Sequence, residues 1–377
     1  MRSIQSIEKS TDDSKQFDVV VISKYQISAP WLGVSKAYDQ MIKSMNSQGL
    51  KVCLVTEGEM LSSNVVSPLL TVKRVPATRK KINSLVKMRT PHPVSFWLAE
   101  VTDYLPLAPV VIAPIVGIQT AIFSIPKKRS QTYIATLHTP YSKRTLLGCF
   151  FQLIQRNTLN YSDIEIANSK TIVVKLKLEN SSTVKIIPHS IPSGKRSKTS
   201  KSIYKENPIW IGPFTYRKGI DRLVRLVFFT REKSKLKIVW SSSRFDLFWR
   251  LILNRFAKFG WCELLHNLTE DELNAILAKS SCLISTTRFE SFGLTLIEAA
   301  QAKTGVVGIY APGVTETMPE STGGAIYFSN ISELSTYLQL KSSLNEFENL
   351  GKNAAKYVEA IYDFEKISNL WRQVAFN

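Results

Sequence analysis

Apolar residues along the chain fall into short unbroken runs separated by stretches with helical spacing. Residues 17–23 (FDVVVIS) form an uninterrupted, largely β-branched run, the pattern of a central parallel strand buried on both faces. A loop with Pro30 and Gly33 follows, then helical spacing over 34–46, closed by Gly49, then a second run over 51–56 (KVCLVT). This is a strand–helix–strand unit. Runs at 110–113, 132–137, 164–167 and 184–187 continue the series.

A second series starts after a polar, basic, turn-rich stretch at 193–207. It predicts strands at 209–211, 236–240, 281–286 and 306–310, and helices over 219–230, 245–256 and 294–302. Thr269 and Glu272 have capping-box spacing and open a further helix to about Lys279. Residues 346–377 read as helices, with Tyr357, Ile361, Phe364, Ile367, Leu370 and Trp371 on one apolar stripe.

Two consecutive alternating series predict an α/β protein of two Rossmann-like, doubly wound domains facing a central cleft. The expected division is 1–192 for the first domain, 193–207 for a linker and 208–355 for the second. A C-terminal helix over 356–377 is expected to pack back on the first domain. The most apolar window, 105–126, is long enough to cross a bilayer. Pro106, Pro109, Pro114 and Gly117 interrupt it, so a buried strand followed by a helix is expected instead.

The 377 residues carry a formal charge of +19, and the charge is uneven. Residues 1–200 hold 27 Lys+Arg and 12 Asp+Glu, whereas 201–377 hold 22 and 18. A basic half attracts phosphate, nucleic acid or an anionic membrane surface, or simply aids solubility. Cys53, Cys149, Cys262 and Cys282 form no CxxC motif, which argues against zinc and fits reduced thiols in a cytosolic protein. The first 16 residues are polar and lack the apolar core of a signal peptide.

The most informative stretch is 288–299, RFESFGLTLIEA. Glu290 lies in the loop after an apolar strand; Ser291, Phe292, Gly293 and Leu294 carry the chain into a helix, and Glu298 lies one to two turns deeper. The first N–H groups of a helix lack internal partners and attract an anion such as a diphosphate. Glu290 could accept hydrogen bonds from hydroxyls at one end of such a ligand and Glu298 from a diol at the other, as a nucleotide–sugar requires. An exposed carboxylate followed by a helix-start Glu meets the same spacing equally well.

Residues 290–299 resemble, at each defining position, the E-x-F-G-L-x-x-x-E-A stretch of retaining glycosyltransferases of the GT-B fold, family 4, the "group 1" type. The preceding TEDELNAILAKSSCLIST resembles that family's helix and strand before the motif. Gly313 and Glu316 fall where the family has a Gly-rich turn and an acidic residue, which implies a donor-side role for Glu316. Residues 209–219, IWIGPFTYRKG, resemble its phosphate-binding loop, and the resemblance implies that Lys218 contacts the donor diphosphate. Pro213 stands where the family usually has Arg; Arg217, beside Lys218, is the candidate substitute. Gly33 matches one member of the family's glycine pair. His138, at a strand end, would contact the donor sugar or orient the acceptor. Asn168, Ser169 and His189 resemble the end of the family's first domain. After the motif helix, 303–305 (KTG) departs from the family's Gly and Pro.

The resemblance implies sugar transfer from a nucleoside-diphosphate sugar, with Glu290, His138 and Lys218 as catalytic residues. The donor-binding set would be Glu298, Ser291, Phe292, Gly293, Leu294, Arg217, Gly33 and Glu316. It implies a glycan or lipid-linked acceptor and no obligatory metal or cofactor. The basic first half, with its runs at 79–81 and 127–129, suggests an anionic membrane surface as a partner of a cytoplasmic, peripherally bound protein. No aromatic RNA-binding motif or recognition helix supports nucleic acid. A sugar-nucleotide epimerase or hydrolase of the same architecture, and a non-catalytic partner subunit, are the alternatives.

Overall fold

The computed structural model describes residues 17–23, 33–58, 62–76, 105–116, 119–120, 131–139, 162–191, 207–232, 235–241, 247–340 and 344–376. Two largely parallel sheets are present among them. The N-terminal sheet contains β1 (Val19–Ser23), β2 (Val52–Gly58), β3 (Ser62–Ser67), β4 (Leu70–Pro76), β5 (Val110–Val116), β6 (Gln119–Thr120), β7 (Thr132–Thr139), β8 (Ile164–Ala167) and β9 (Val184–Ile186). Its order is β3-β4-β2-β1-β5-β7-β8-β9, with β6 beside β5; only β3–β4 and β5–β6 are antiparallel. The C-terminal sheet contains β10 (Ile209–Pro213), β11 (Leu236–Ser241), β12 (Cys262–His266), β13 (Cys282–Ser285), β14 (Gly305–Ile309) and β15 (Ala325–Phe328). Its order is β12-β11-β10-β13-β14-β15, parallel throughout.

The helices are α1 (Gly33–Ser47), α2 (Lys170–Leu176), α3 (Ile220–Thr230), α4 (Leu247–Lys258), α5 (Glu270–Lys279), α6 (Leu294–Gln301), α7 (Val314–Thr317), α8 (Ile331–Gln339), α9 (Leu344–Ile361) and α10 (Phe364–Phe376). Their starts follow the local sequence. Ser169 caps α2 by accepting from the Ile172 N–H at 3.3 Å, and Thr269 with Glu272 forms the expected capping box on α5. The central strand β1 is buried along its whole length, as its unbroken apolar run requires.

One expectation falls partly outside the described residues, one hairpin has no counterpart in the apolar pattern, and one expectation is corrected. In the 105–126 window, the expected buried strand is β5, which pairs with the two-residue antiparallel strand β6 at 119–120; the helix expected after it falls on residues 121–130, outside the described part. The hairpin β3–β4 went unseen because β3 is mostly exposed and lacks an alternating apolar face. The C-terminal stripe is not one face: Ile361 is 48 % exposed and Leu370 37 %, because the helix breaks between them. Asp363 stands at that break and accepts from the Lys366 N–H at 2.9 Å.

The break redirects the chain. Tyr357 and Tyr362, around the end of α9, pack in the C-terminal core, whereas Ile367, Trp371 and Val374 of α10 sit in the N-terminal core with Tyr38, Met41, Ile42 and Met45 of α1. The last helix thus completes the hydrophobic layer of the first sheet. Trp371→Ala should cost about 3–5 kcal/mol, read by urea unfolding monitored by circular dichroism; a loss under about 1 kcal/mol would contradict this packing.

Candidate active site

In the C-terminal sheet, β10 and β13 are neighbours, but the chain winds outward from them in opposite directions. Loops leaving the carboxyl ends of such strands diverge and leave a crevice, the usual ligand position in doubly wound sheets. Here those loops carry Lys218 and Glu290.

The two loops are locked together. Gly219 has φ +72°, and a Cβ there would lie 2.0 Å from the Thr286 carbonyl oxygen, so the backbones meet where no side chain fits. The Thr286 hydroxyl donates to the Lys218 carbonyl at 2.9 Å and accepts from the Trp210 indole N–H at 3.0 Å. The Thr287 hydroxyl donates to the Arg217 carbonyl at 2.9 Å, and the Arg288 N–H donates to the same oxygen at 2.8 Å. The Arg288 guanidinium forks onto Asp221 with both contacts at 2.7 Å and stacks 3.7 Å over the Tyr216 ring. Its hydrogen bond holds the Asp221 carboxyl below the usual carboxylate value.

This frame delivers two cations to one buried carboxylate. The Lys218 ammonium donates to Glu290 Oε2, and the Arg217 guanidinium donates to Oε1 at 3.2 Å. Burial by itself would push the Glu290 carboxyl up, but Lys218 and then Arg217 outweigh it and hold the group below its ordinary value. Gly293, at φ +85°, turns the chain into α6; a Cβ there would lie 2.8 Å from Leu296 Cδ1. Lys218, Glu290, Gly293, Thr295 and the 285–287 segment line one recess at the start of this helix.

The N-terminal domain meets the same loops. The Ser169 hydroxyl donates to the Ser291 carbonyl. Both Glu316 oxygens accept backbone N–H groups at the start of α2, from Lys170 at 2.6 Å and Thr171 at 2.7 Å. His189 meets the Phe292 ring edge-on, with centroids 4.9 Å apart. Lys36 on α1 pairs with Glu298 on α6 at 2.5 Å. An open recess of about 380 Å³, lined by Lys170, Thr171, Val174, Lys175, Phe289, Pro312 and Glu316, follows this seam.

Of the residues singled out from the sequence, Glu290, Lys218, Arg217, Ser291, Phe292, Gly293 and Leu294 gather around the start of α6. Phe292 is buried; its carbonyl accepts from the Thr317 hydroxyl, and its ring packs between His189 and Tyr362. Glu298 lies along the same helix, held by Lys36. Glu316 faces the N-terminal domain. Pro213 is the last residue of β10. Gly33 is the first residue of α1, and His138 is the penultimate residue of β7, its side chain outside the described part. Cys149, the basic runs at 79–81 and 127–129, and the linker up to residue 206 also lie outside it. Sequence reasoning missed Thr286, Thr287 and the Arg288–Asp221 fork. It also missed Lys36, which no local pattern ties to a residue 262 positions away.

Comparison with known proteins bears on this arrangement. The structure superposes on a sucrose-phosphate synthase from Thermosynechococcus elongatus with a TM-score of 0.74, covering 95 % of this chain and 99 % of that one at 18 % identity. It matches Anabaena HepE in complex with UDP and glucose (TM-score 0.71, 11 % identity, 95 % and 99 % covered). It also matches WaaG, a glycosyltransferase involved in lipopolysaccharide biosynthesis (0.68, 13 %, 95 % and 100 %). The fold is GT-B. Residues 197–357, the segment that holds the locked loops, match the family model of glycosyl transferases group 1. A stretch of 220 residues is 26 % identical to the DNA-directed RNA polymerase 147 kDa polypeptide of Monkeypox virus; it covers 58 % of this chain and 16 % of that protein. The chain therefore spans about one sixth of the length of the curated relatives it matches.

Lys218→Met tests the electrostatics. It leaves a buried carboxylate with Arg217 alone, a loss of about 3 kcal/mol at pH 7. Because Glu290 is held below its ordinary value of 4.5, its pairing stabilises the protein above that pH. That stabilisation is lost as pH falls through the lowered folded value. The gap in melting temperature between wild type and variant should therefore be widest near pH 7 and shrink below pH 4.5. A gap independent of pH would contradict the assignment.

Proposed function

We propose that this protein transfers a sugar from a nucleoside-diphosphate sugar to an acceptor hydroxyl, with retention at the anomeric carbon. The acceptor in this reading is a lipid-linked or cell-surface glycan precursor. The observation that carries it is the convergence of Lys218, Arg217 and Glu290 at the N-terminus of α6, in a crevice of the GT-B fold and within the segment that matches glycosyl transferases group 1.

The donor diphosphate lies against the first N–H groups of α6 and draws the Lys218 ammonium to it. Glu290 exchanges that partner for hydroxyls of the sugar, while Arg217 keeps it ionised. Glu298 takes the ribose diol when Lys36 withdraws. Gly33 lies on the N-terminal side of the same cleft, and His138 orients the acceptor from the end of β7. The bond from the anomeric carbon to the leaving phosphate oxygen breaks, and the bond to the acceptor oxygen forms on the same face. The acceptor proton passes to the leaving phosphate, so the products are a glycoside and a nucleoside diphosphate. Closure of the two domains excludes water. The basic first half would hold the enzyme against an anionic membrane surface on the cytoplasmic side.

A screen of UDP-, GDP- and other activated sugars, read by acceptor-dependent release of nucleoside diphosphate, tests the reading. Glu290→Ala should lower transfer by about 100-fold or more while the protein stays folded. Undiminished transfer would remove Glu290 from the chemistry. Release without acceptor, or an isomerised donor, would assign a hydrolase or an epimerase instead.

A further inference from the structure

The small net charge of the second half conceals a strong separation. Residues 207–263 hold 12 Lys+Arg against 4 Asp+Glu, and residues 264–377 hold 8 against 13. The first group comprises β10, β11, the start of β12 and helices α3 and α4; the second comprises the rest of β12, β13 to β15 and helices α5 to α9, of which α8 packs on α3, together with α10, which packs on the N-terminal domain.

The basic side also exposes apolar surface. Eight of the twelve residues of α4 (LFWRLILNRFAK) are apolar, yet Leu253 alone among them is fully buried. Leu247, Phe248 and Leu251 are each about 60 % exposed, and Phe259, just after the helix, is 57 % exposed. Leu247, Leu251, Arg255 and Phe259 follow one another at intervals of four, so they share one face. Phe228 and Phe229, at the end of α3, extend the surface; Phe228 packs on Trp261, and Trp261 packs on Phe259. Cations lie within this apolar surface and not only around it. The Arg231 guanidinium sits 4.4 Å over the Phe228 ring and Arg255 sits 5.5 Å over Phe259, with exposed Lys258 adjacent.

We propose that this face of the C-terminal domain docks on an anionic lipid bilayer. A helix that packs Leu253, Trp249, Phe256 and Ala257 on the core and still presents Leu247, Phe248, Leu251, Arg255 and Lys258 outward has the composition of an element lying in a membrane interface. Its aromatic and aliphatic side chains enter the headgroup boundary, while Arg and Lys keep their charges among the headgroups. Positive charge concentrated on this side, with net negative charge on the other, orients the domain on an anionic surface. A surface of this kind rarely stays uncovered in a soluble monomer. The docking face is formed by residues of the C-terminal domain alone. It does not depend on sugar transfer, because none of its residues lines the crevice.

The test is flotation of the full chain with vesicles of phosphatidylcholine and phosphatidylglycerol (3:1), or of phosphatidylcholine alone, at low and high salt. Wild type should float with the anionic vesicles at low salt and not with the neutral ones. Phe248→Ser/Leu251→Ser/Phe259→Ser should lower partitioning at least tenfold, and Arg255→Glu/Lys258→Glu should do so independently. Both variants should stay folded by circular dichroism, and any donor turnover measured without vesicles should be unchanged. Wild-type flotation by both variants would overturn the proposal, as would absence of wild-type flotation. So would a concentration-dependent dimer in sedimentation equilibrium that the triple variant abolishes, since a second copy would then be the occupant.

Discussion

The buried ion cluster of Glu290 with Lys218 and Arg217 is the interaction on which the rest of the site depends. A carboxylate so far removed from water is costly to ionise, and only cations held in fixed positions offset that cost. The fold meets this demand by locking the two loops that diverge at the β10–β13 boundary. Thr286 and Thr287 tie the carbonyls of Lys218 and Arg217, and the Arg288–Asp221 fork closes the frame from outside. Gly219 allows backbone contact where a Cβ would collide, and Gly293 turns the chain so that α6 starts beside the cluster.

The second constraint is the junction between domains. Glu316 from the C-terminal domain caps α2 of the N-terminal domain, Ser169 reaches back to the Ser291 carbonyl, and Lys36 reaches Glu298. The chain itself crosses the junction at Tyr362. Its carbonyl accepts from the Ile191 N–H at 2.8 Å, its hydroxyl donates to the Thr317 carbonyl at 3.1 Å, and its ring packs on Phe292. These contacts surround the motif stretch from both sides, so its position registers the relative placement of the two domains. Most are hydrogen bonds or single ion pairs at partly exposed positions, a kind of contact that can be exchanged for ligand without unfolding either core.

Much of this was legible in the sequence, because parallel strands buried on both faces write themselves as unbroken apolar runs. Residues 17–23 and 281–286 are such runs, and the capping box at Thr269 and the motif at 290–299 are local signals with local causes. The gathering of Glu290, Lys218 and Arg217 was readable only through resemblance; the physical spacing of Glu290 and Glu298 left a plain surface carboxylate equally open. The Lys36–Glu298 pair was not legible at all, since pairing across 262 positions depends on how two domains meet. The C-terminal stripe misled for a related reason. Tyr357 and Trp371 are both apolar positions of helices, but the break near Asp363 sends them to different cores. On α4, which the spacing predicts as a helix, the apolar composition does not tell which residues face the core, and the structure leaves Leu247, Phe248 and Leu251 exposed.

The central claim is that the crevice at the start of α6 is built for a nucleoside diphosphate. A crystal structure of the protein with bound UDP or GDP tests it most directly. The account predicts the diphosphate against the first N–H groups of α6, within hydrogen-bonding distance of Lys218 Nζ, with Glu298 released from Lys36 toward the ribose. A nucleotide bound elsewhere, with the Lys218–Glu290 and Lys36–Glu298 pairs undisturbed, would contradict it.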